Sequence, residues 1–257
     1  MKKILLPLIA VCCLVPAVAF AGHPLATDAA ETLEPKKIEA ETAVEFILNS
    51  NEGVKKNAFI IQETLSAGIM PKLDGFLSMP FWTFKEDGTP IETNRATGLG
   101  DVTTGVKYNF LSMDNVTFAV KPFIVMPIGN ENKGLGEGGF GFGVVGVLSA
   151  ELDKHISVDG NISFRTQGVK GGEGGEDYNL YGASVAGKYE ATNELKIVGE
   201  FTASKPDVTD AKWATYLTAG AVYALNKNID VDCGLRFGIT SDASDDIGFL
   251  FGLNYKF

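Results

Sequence analysis

The chain has 257 residues, 45% of them hydrophobic and 21% charged, with 30 glycines, 17 phenylalanines and a formal net charge of −10. That length suits one large domain, and the acidic balance argues against a nucleic-acid partner. Two histidines and three cysteines leave little material for a metal centre, a histidine-based catalytic set or a disulfide framework.

In chain order, residues 1–21 read as a secretory signal peptide. Lys2 and Lys3 supply the positive start, Ile4 to Val18 the apolar stretch, and Ala19-Phe20-Ala21 a small-x-small cleavage site. Cleavage after Ala21 would make Gly22 the first residue; cleavage after Ala19 is the alternative. Cys12 and Cys13 follow Val11 and Cys12, not the Gly or Ala that lipoprotein processing prefers, so no lipid anchor is expected. Loss of the signal leaves Cys233 alone, which excludes an intramolecular disulfide. Residues 22–36 form a polar arm, expected in the periplasm. After the signal no stretch reaches the roughly 18 apolar residues of a membrane helix.

From residue 37 onward apolar side chains recur at every second position, the mark of strands with one greasy face. Residues 37–48 set Ile38, Ala40, Val44, Phe46 and Leu48 against Glu39, Glu41 and Glu45. Residues 56–69 turn Phe59, Ile61, Leu65 and Ile69 outward. Glu63 falls on that same face, where an ionised carboxylate is costly in lipid, and this predicts a bulge or a register change there. Residues 73–84 make a third strand. Residues 101–110 alternate Val102, Val106, Tyr108 and Phe110 with Asp101, Thr103, Lys107 and Asn109. Strands at 116–127 and 140–152 follow, the latter apolar on both faces from Val144 to Leu148. Ile156, Val158, Ile162 and Phe164 then oppose Ser157, Asp159, Asn161, Ser163 and Arg165. Strands at 179–190, 195–204, 213–225 and 229–240 lead to a last one, in which Ile247, Phe249, Phe251, Leu253, Tyr255 and Phe257 alternate to the final residue.

The links alternate in length. Short turns fall at 70–72, 111–115, 153–154, 191–194 and 226–228, and longer polar or glycine-rich loops at 85–100, 128–139, 166–177 and 205–212. Short turns on one side and long loops on the other define an outer-membrane architecture: an all-β, transmembrane, antiparallel up-and-down barrel of about 12 strands over residues 37–257. An even count puts both termini in the periplasm. Tyr223, Tyr255 and Phe257 fall at the periplasmic rim and Trp213 at the outer one. The terminal strand, with Tyr255 and Phe257, is the expected signal to the barrel-assembly machinery. Membrane lipid and lipopolysaccharide are the other expected partners.

No residues point to catalysis, a metal or a cofactor. His155-Ile156-Ser157 has the spacing of the His-x-Ser of the outer-membrane phospholipase, but it sits at a short turn and faces the lumen, and its surroundings differ. The glycine-rich runs 134–143 and 171–175 lack the strand-to-helix setting of a phosphate loop. Asp242, Asp245 and Asp246 read as a solvated acidic loop. The lumen carries both signs of charge: Glu39, Glu41, Glu45, Lys107, Lys121, Asp159, Arg165, Lys188, Glu200, Asp230, Asp232 and Arg236. Beside them Phe76, Trp82, Phe84, Phe123, Val125, Val145 and Val147 turn inward. A path for a greasy or aromatic small molecule would use Trp82, Phe84 and Phe123 for apolar contact and Lys107, Lys121, Arg165 and Arg236 for its field. The same side chains could instead pack together, or against the N-terminal arm as a plug.

Two short motifs carry a family resemblance. His23-Pro24-Leu25-Ala26-Thr27-Asp28 resembles the His-Pro-x-x-Thr-Asp start of the family called putative MetA-pathway of phenol degradation. Gly98-Leu99-Gly100-Asp101-Val102, followed by Gly105-Val106-Lys107-Tyr108, resembles its Gly-x-Gly-Asp-x…Gly-x-Lys-Tyr motif. Ala29-Ala30 departs from it where a second Asp would be typical. The resemblance implies an outer-membrane barrel of transporter type with no catalytic site. A channel for small solutes is the reading; a sealed structural or recognition barrel, or an outer-membrane hydrolase using Ser157, are the alternatives.

Overall fold

A computed structural model describes residues 23–51, 54–89, 92–170, 176–240 and 243–257; the expected signal peptide, Asp242 and the 171–175 glycine run lie outside them. Thirteen strands follow in order: β1 Ile38–Asn51, β2 Val54–Met70, β3 Leu73–Thr89, β4 Glu92–Leu99, β5 Val102–Met113, β6 Val116–Met126, β7 Gly138–Asp153, β8 Ile156–Val169, β9 Tyr178–Glu190, β10 Leu195–Pro206, β11 Ala214–Asn226, β12 Ile229–Gly238 and β13 Ile247–Lys256. They form one antiparallel sheet closed by β1 against β13, from Glu39 opposite Lys256 to Leu48 opposite Ile247. Closure bonds the backbone polar groups within the wall, as a lipid surrounding demands.

The barrel has twelve staves despite thirteen strands. The lower half of β3 pairs with β5, from Leu73 opposite Tyr108 to Ser78 opposite Thr103, and its upper half pairs with β4, from Phe81 opposite Leu99. β4 and β5 are thus one stave, broken at Gly100-Asp101. The expected loop over 85–100 is therefore mostly an extended hairpin. Above the apolar wall both faces of a strand meet water, so the alternation that marks a strand in lipid is missing from its sequence.

Glu63 corrects a second expectation. Register runs unbroken through it, with Thr42 opposite on β1 and Met79 opposite on β3. No bulge turns it inward; its carboxylate stays on the outer face and accepts a 3.0 Å hydrogen bond from the Thr42 hydroxyl.

Outward side chains such as Phe46, Leu65, Phe142, Ile162, Val185 and Leu217 are exposed around the wall, an apolar surface too continuous for water. Tyr255 and Phe257 stack edge-to-face at 4.5 Å beside the seam, and the Phe257 amide donates to the Ile38 carbonyl at 2.9 Å. The double apolar face of β7 is also explained. Val144 and Leu148 point outward and are exposed, while Val145 and Val147 point inward and are buried.

What buries them is the N-terminal arm. The arm does not hang in the periplasm as expected: residues 23–33 lie inside the barrel, where Leu25, Thr27, Asp28 and Ala30 are each no more than 5% exposed, and exposed Glu34, Pro35 and Lys36 lead into β1. The lumen of a twelve-stave barrel is wider than its own side chains fill, and a chain segment with small side chains can occupy the remainder.

Candidate solute path through the barrel

The arm makes a circuit of the inner wall. His23 Nδ1 lies 2.5 Å from Asp232 Oδ1 on β12, and the His23 amide donates to Glu41 on β1 at 3.2 Å. Pro24 sits over Gly220 and Gly234: a Cβ on Gly220 would collide with its ring, and one on Gly234 would crowd it. Leu25 packs with Ala186, Val198 and Val222 on β9, β10 and β11. Glu200 on β10 then gathers three donors onto one oxygen: the Ala26 amide at 2.8 Å, the Thr27 amide at 2.5 Å and the Thr27 hydroxyl at 2.6 Å.

Asp28 is the centre of the circuit. Its carboxylate forms an ion pair with Lys121 on β6, and Lys107 on β5 stands 3.8 Å away while donating to the Ala29 carbonyl at 3.1 Å. The Asn161 amide on β8, oriented to satisfy both groups, donates to the Asp28 carbonyl and accepts from the Asp28 N–H. The Ala30 amide donates to Ser149 on β7 at 2.9 Å, and the Leu33 amide to both oxygens of Asp74 on β3 at 3.0 and 3.1 Å. The Lys36 amide finally bonds the Gly68 carbonyl on β2 at 2.8 Å, at the point where a side chain on Gly68 would strike the Glu34 backbone. Most arm donors thus have a partner on the wall, as burial of backbone amides requires.

The sequence-expected path residues divide accordingly. Phe123 is buried with Ala30, Phe76, Ala119, Val125, Val145 and Val147, so the inward apolar strip packs under the arm. Lys107 and Lys121 hold Asp28, with Lys121 Nζ also 4.6 Å from the Phe76 ring centre. Trp82 is half-buried on the inward side of β3 beside Gly100, where a Cβ would meet its indole nitrogen. Phe84 pairs through its backbone with Ala58 and Ala96; its side chain lies outside the described residues. Arg236 pairs with Glu45 and stacks 5.1 Å from the Tyr216 ring, while Arg165 lies 3.4 Å from the Tyr178 hydroxyl. The six whose side chains are described do not form one surface. Two bind the arm, one lies under it, and the arginines and Trp82 belong to the upper half of the lumen.

Between arm and wall a cavity of about 320 Å³ remains, lined in part by Glu31, Glu39, Glu41, Asp74, Lys188 and Lys256. Lys188 is paired with Asp159 at 2.7 Å and Lys256 with Asp230 at 2.6 Å. Lys107 and Lys121, which also line it, are held by Asp28, and among the described residues the four carboxylates have no lysine or arginine within salt-bridge distance, so the charge left over around the cavity is acidic.

Two loops narrow the opposite mouth. Asp101 accepts from the Gly129 amide at 3.0 Å and the Glu137 amide at 2.9 Å, tying down the segment that carries buried Leu135. The loop before β13 folds inward: Ala243 and Ser244 are buried, the Asp245 amide donates to the Tyr216 hydroxyl at 3.3 Å, and Asn49 donates to Asp245 at 3.1 Å. Burial pushes the carboxyls of Asp101, Glu137 and Asp245 above their ordinary values, against the opposing pull of backbone or arginine partners. A carboxyl raised in the docked loop binds more protons there than when the loop is free, so docking strengthens as pH falls through the window just above 4 and weakens as pH rises through it. Hydrogen exchange of residues 129–137 should slow between pH 7 and pH 4 beyond the intrinsic rate change.

The sequence did not disclose the arm's wall partners as a set. Glu200, Asp232 and Lys107 were legible as lumen charges, but nothing in their strands says that the groups they satisfy come from residues 23–30. The family motifs held the signal: His23, Thr27 and Asp28 from one and Lys107 from the other belong to this one contact network.

The family model described as Putative MetA-pathway of phenol degradation matches residues 22–257. No curated protein matches the chain. Among solved structures, the COG4313 outer membrane channel from Pseudomonas putida F1 superposes with a TM-score of 0.75 at 13% identity, over 89% of this chain and 98% of that one. The NanC porin gives 0.63 at 13% identity, over 85% and 100%. The transport unit of the autotransporter AIDA-I from Escherichia coli gives 0.58 at 13% identity, over 93% and 96%. At these identities the likeness is one of fold: the outer-membrane β-barrel.

Proposed function

The chain belongs to the Putative MetA-pathway of phenol degradation family, and from that premise we propose that it is an outer-membrane channel for small solutes whose path is narrowed by its own N-terminal arm. Its place is the outer membrane of a Gram-negative bacterium, reached after export and by way of the barrel-assembly machinery reading Tyr255 and Phe257. The observation that carries the reading is how the arm is held. It is bound largely by hydrogen bonds and ion pairs to a polar wall, beside an open acidic cavity, and not by a continuous apolar core. Contacts of that kind exchange with water at small net cost.

Hydrophobic or aromatic solutes with one polar end suit the lumen. Trp82 offers an aromatic face in the upper half, and Phe76 with its neighbours offers an apolar strip below. A phenol has that combination, and the family's description concerns phenol degradation. Trp82→Ala should lower the flux of an aromatic solute about tenfold relative to a polar solute of equal size in proteoliposome uptake, the loss of one good stacking contact. An unchanged ratio in a folded variant counts against the aromatic preference.

One observation favours a second reading, the sealed barrel: the arm touches nearly every stave. Planar-bilayer conductance of the refolded chain separates the two. Discrete steps or flickering openings support the channel, and silence at every voltage and solute supports the seal.

A further inference from the structure

Glu63 is the one outward-facing acidic or basic side chain within the apolar band of the wall, among the described residues. On β2 it stands between Phe59 and Ile69, with Ile61 and Leu65 on either side of it and Met79 opposite. Inside lipid an ionisable group finds no water, and such groups in membrane proteins are turned to an interior, a cavity or a partner. Within its own chain Glu63 is turned to no interior and no cavity, and its one side-chain partner is the Thr42 hydroxyl. Thr42 has a single proton to give and bonds only Oε2. A carboxylate has about four acceptor sites, and Oε1 has no partner among the described residues.

We propose that the outer face centred on Glu63 docks a second copy of this chain through a two-fold contact, with the two Glu63 carboxyls meeting at the axis. The occupant follows from complementarity. Near this depth the other outward polar side chain is Thr104, whose hydroxyl proton is already given to the Phe76 carbonyl at 2.8 Å, so the polar counterpart a second barrel can best present is its own Glu63 and Thr42. A two-fold axis through Glu63 is the arrangement that matches them, and isologous pairs of this kind are the commonest closed assembly. Two facing carboxyls are self-complementary when they share one proton, one donating O–H and the other accepting, because two carboxylates at that distance repel. The flanking surface suits close approach: Ala40 and Ala67 are small, and Leu65 is exposed beside them.

The test is disulfide trapping of the full-length exported protein in outer-membrane vesicles. Cys233 is free and exposed, so every variant carries Cys233→Ser. Leu65→Cys, next to the axis, should give an oxidant-dependent homodimer, whereas Val185→Cys on β9, half the staves away, should not. Adding Glu63→Leu should cut the Leu65→Cys dimer roughly tenfold, the worth of one good polar contact in a bilayer. Glu63→Gln should retain it, since two amides pair as two carboxyls do. Heat-modifiable gel mobility confirms that each variant is a folded barrel. The proposal falls if folded Leu65→Cys gives no dimer or traps a different protein. It falls equally if Val185→Cys dimerises as well, or if Glu63→Leu leaves the dimer unchanged.

Discussion

Removal of residues 23–34 should open the barrel: in planar bilayers the shortened chain conducts in discrete steps, at roughly tenfold the conductance of the intact one or where the intact one is silent. The arm is the only segment among the described residues that crosses the lumen from β12 through the middle staves to β2. Without it the groups that hold it line a continuous polar space. Asp232, Glu200, Lys121, Lys107, Asn161 and Asp74 each lose an arm partner and would take up water in its place. The deletion spares Lys36 and Lys37, whose exchange of backbone bonds with Gly68 sets the start of β1, so closure of the sheet should survive. Unchanged conductance in a folded deletion variant would mean that the lumen is shut elsewhere, at the mouth held by Asp101 and Asp245. The channel reading would then depend on those loops.

The wall was legible because lipid imposes a rule on every strand. Side chains at alternate positions must be apolar, so β9, β12 and β13 could be read almost to the residue. Where that rule lapses the reading failed. Beyond the apolar wall β3 and β4 run on as paired strands whose sequence, lacking the alternation, reads as a loop. Glu63 breaks the rule while staying in register, and the pattern offered only a bulge or a register change as its explanation. The arm failed for a different reason. Its residues carry no periodicity, and its place is set by ion pairs and backbone hydrogen bonds to nine other segments, a long-range fact with no local trace. Even so, the charges that bind it could be named as lumen residues from alternation alone. The inward valines of β7 were an anomaly that a plug resolves: Val145 and Val147 are covered by Ala30. The two motifs of the family resemblance are better understood as halves of one contact, since Asp28 of the first sits between Lys107 of the second and Lys121.

That contact makes the second large prediction unequal between its partners. Asp28→Ala should weaken arm docking by about 3–5 kcal/mol, the usual penalty for stripping the partner from a buried charge. Lys121 is 3% exposed, and Lys107 stands across the same carboxylate, so the substitution leaves two like charges facing each other in a space too small to hydrate both. Lys121→Met should cost less, because Asp28 then keeps Lys107 and the methionine chain still covers the face of Phe76, where Lys121 Nζ now lies. Combining Asp28→Asn with Lys121→Met removes both charges and should be milder than Asp28→Ala alone, as replacement of a buried pair by neutral groups often is. Protease cleavage within residues 29–34 reads the docked fraction in the folded barrel, and bilayer conductance of the same samples reads the path. The three variants should rank identically in both measurements, with Asp28→Ala cut fastest and conducting most. Equal cleavage of all three at the intact chain's rate would show that the hydrogen bonds to Glu200 and Asp74 hold the arm unaided. The ion pair would then be a consequence of docking and not its cause.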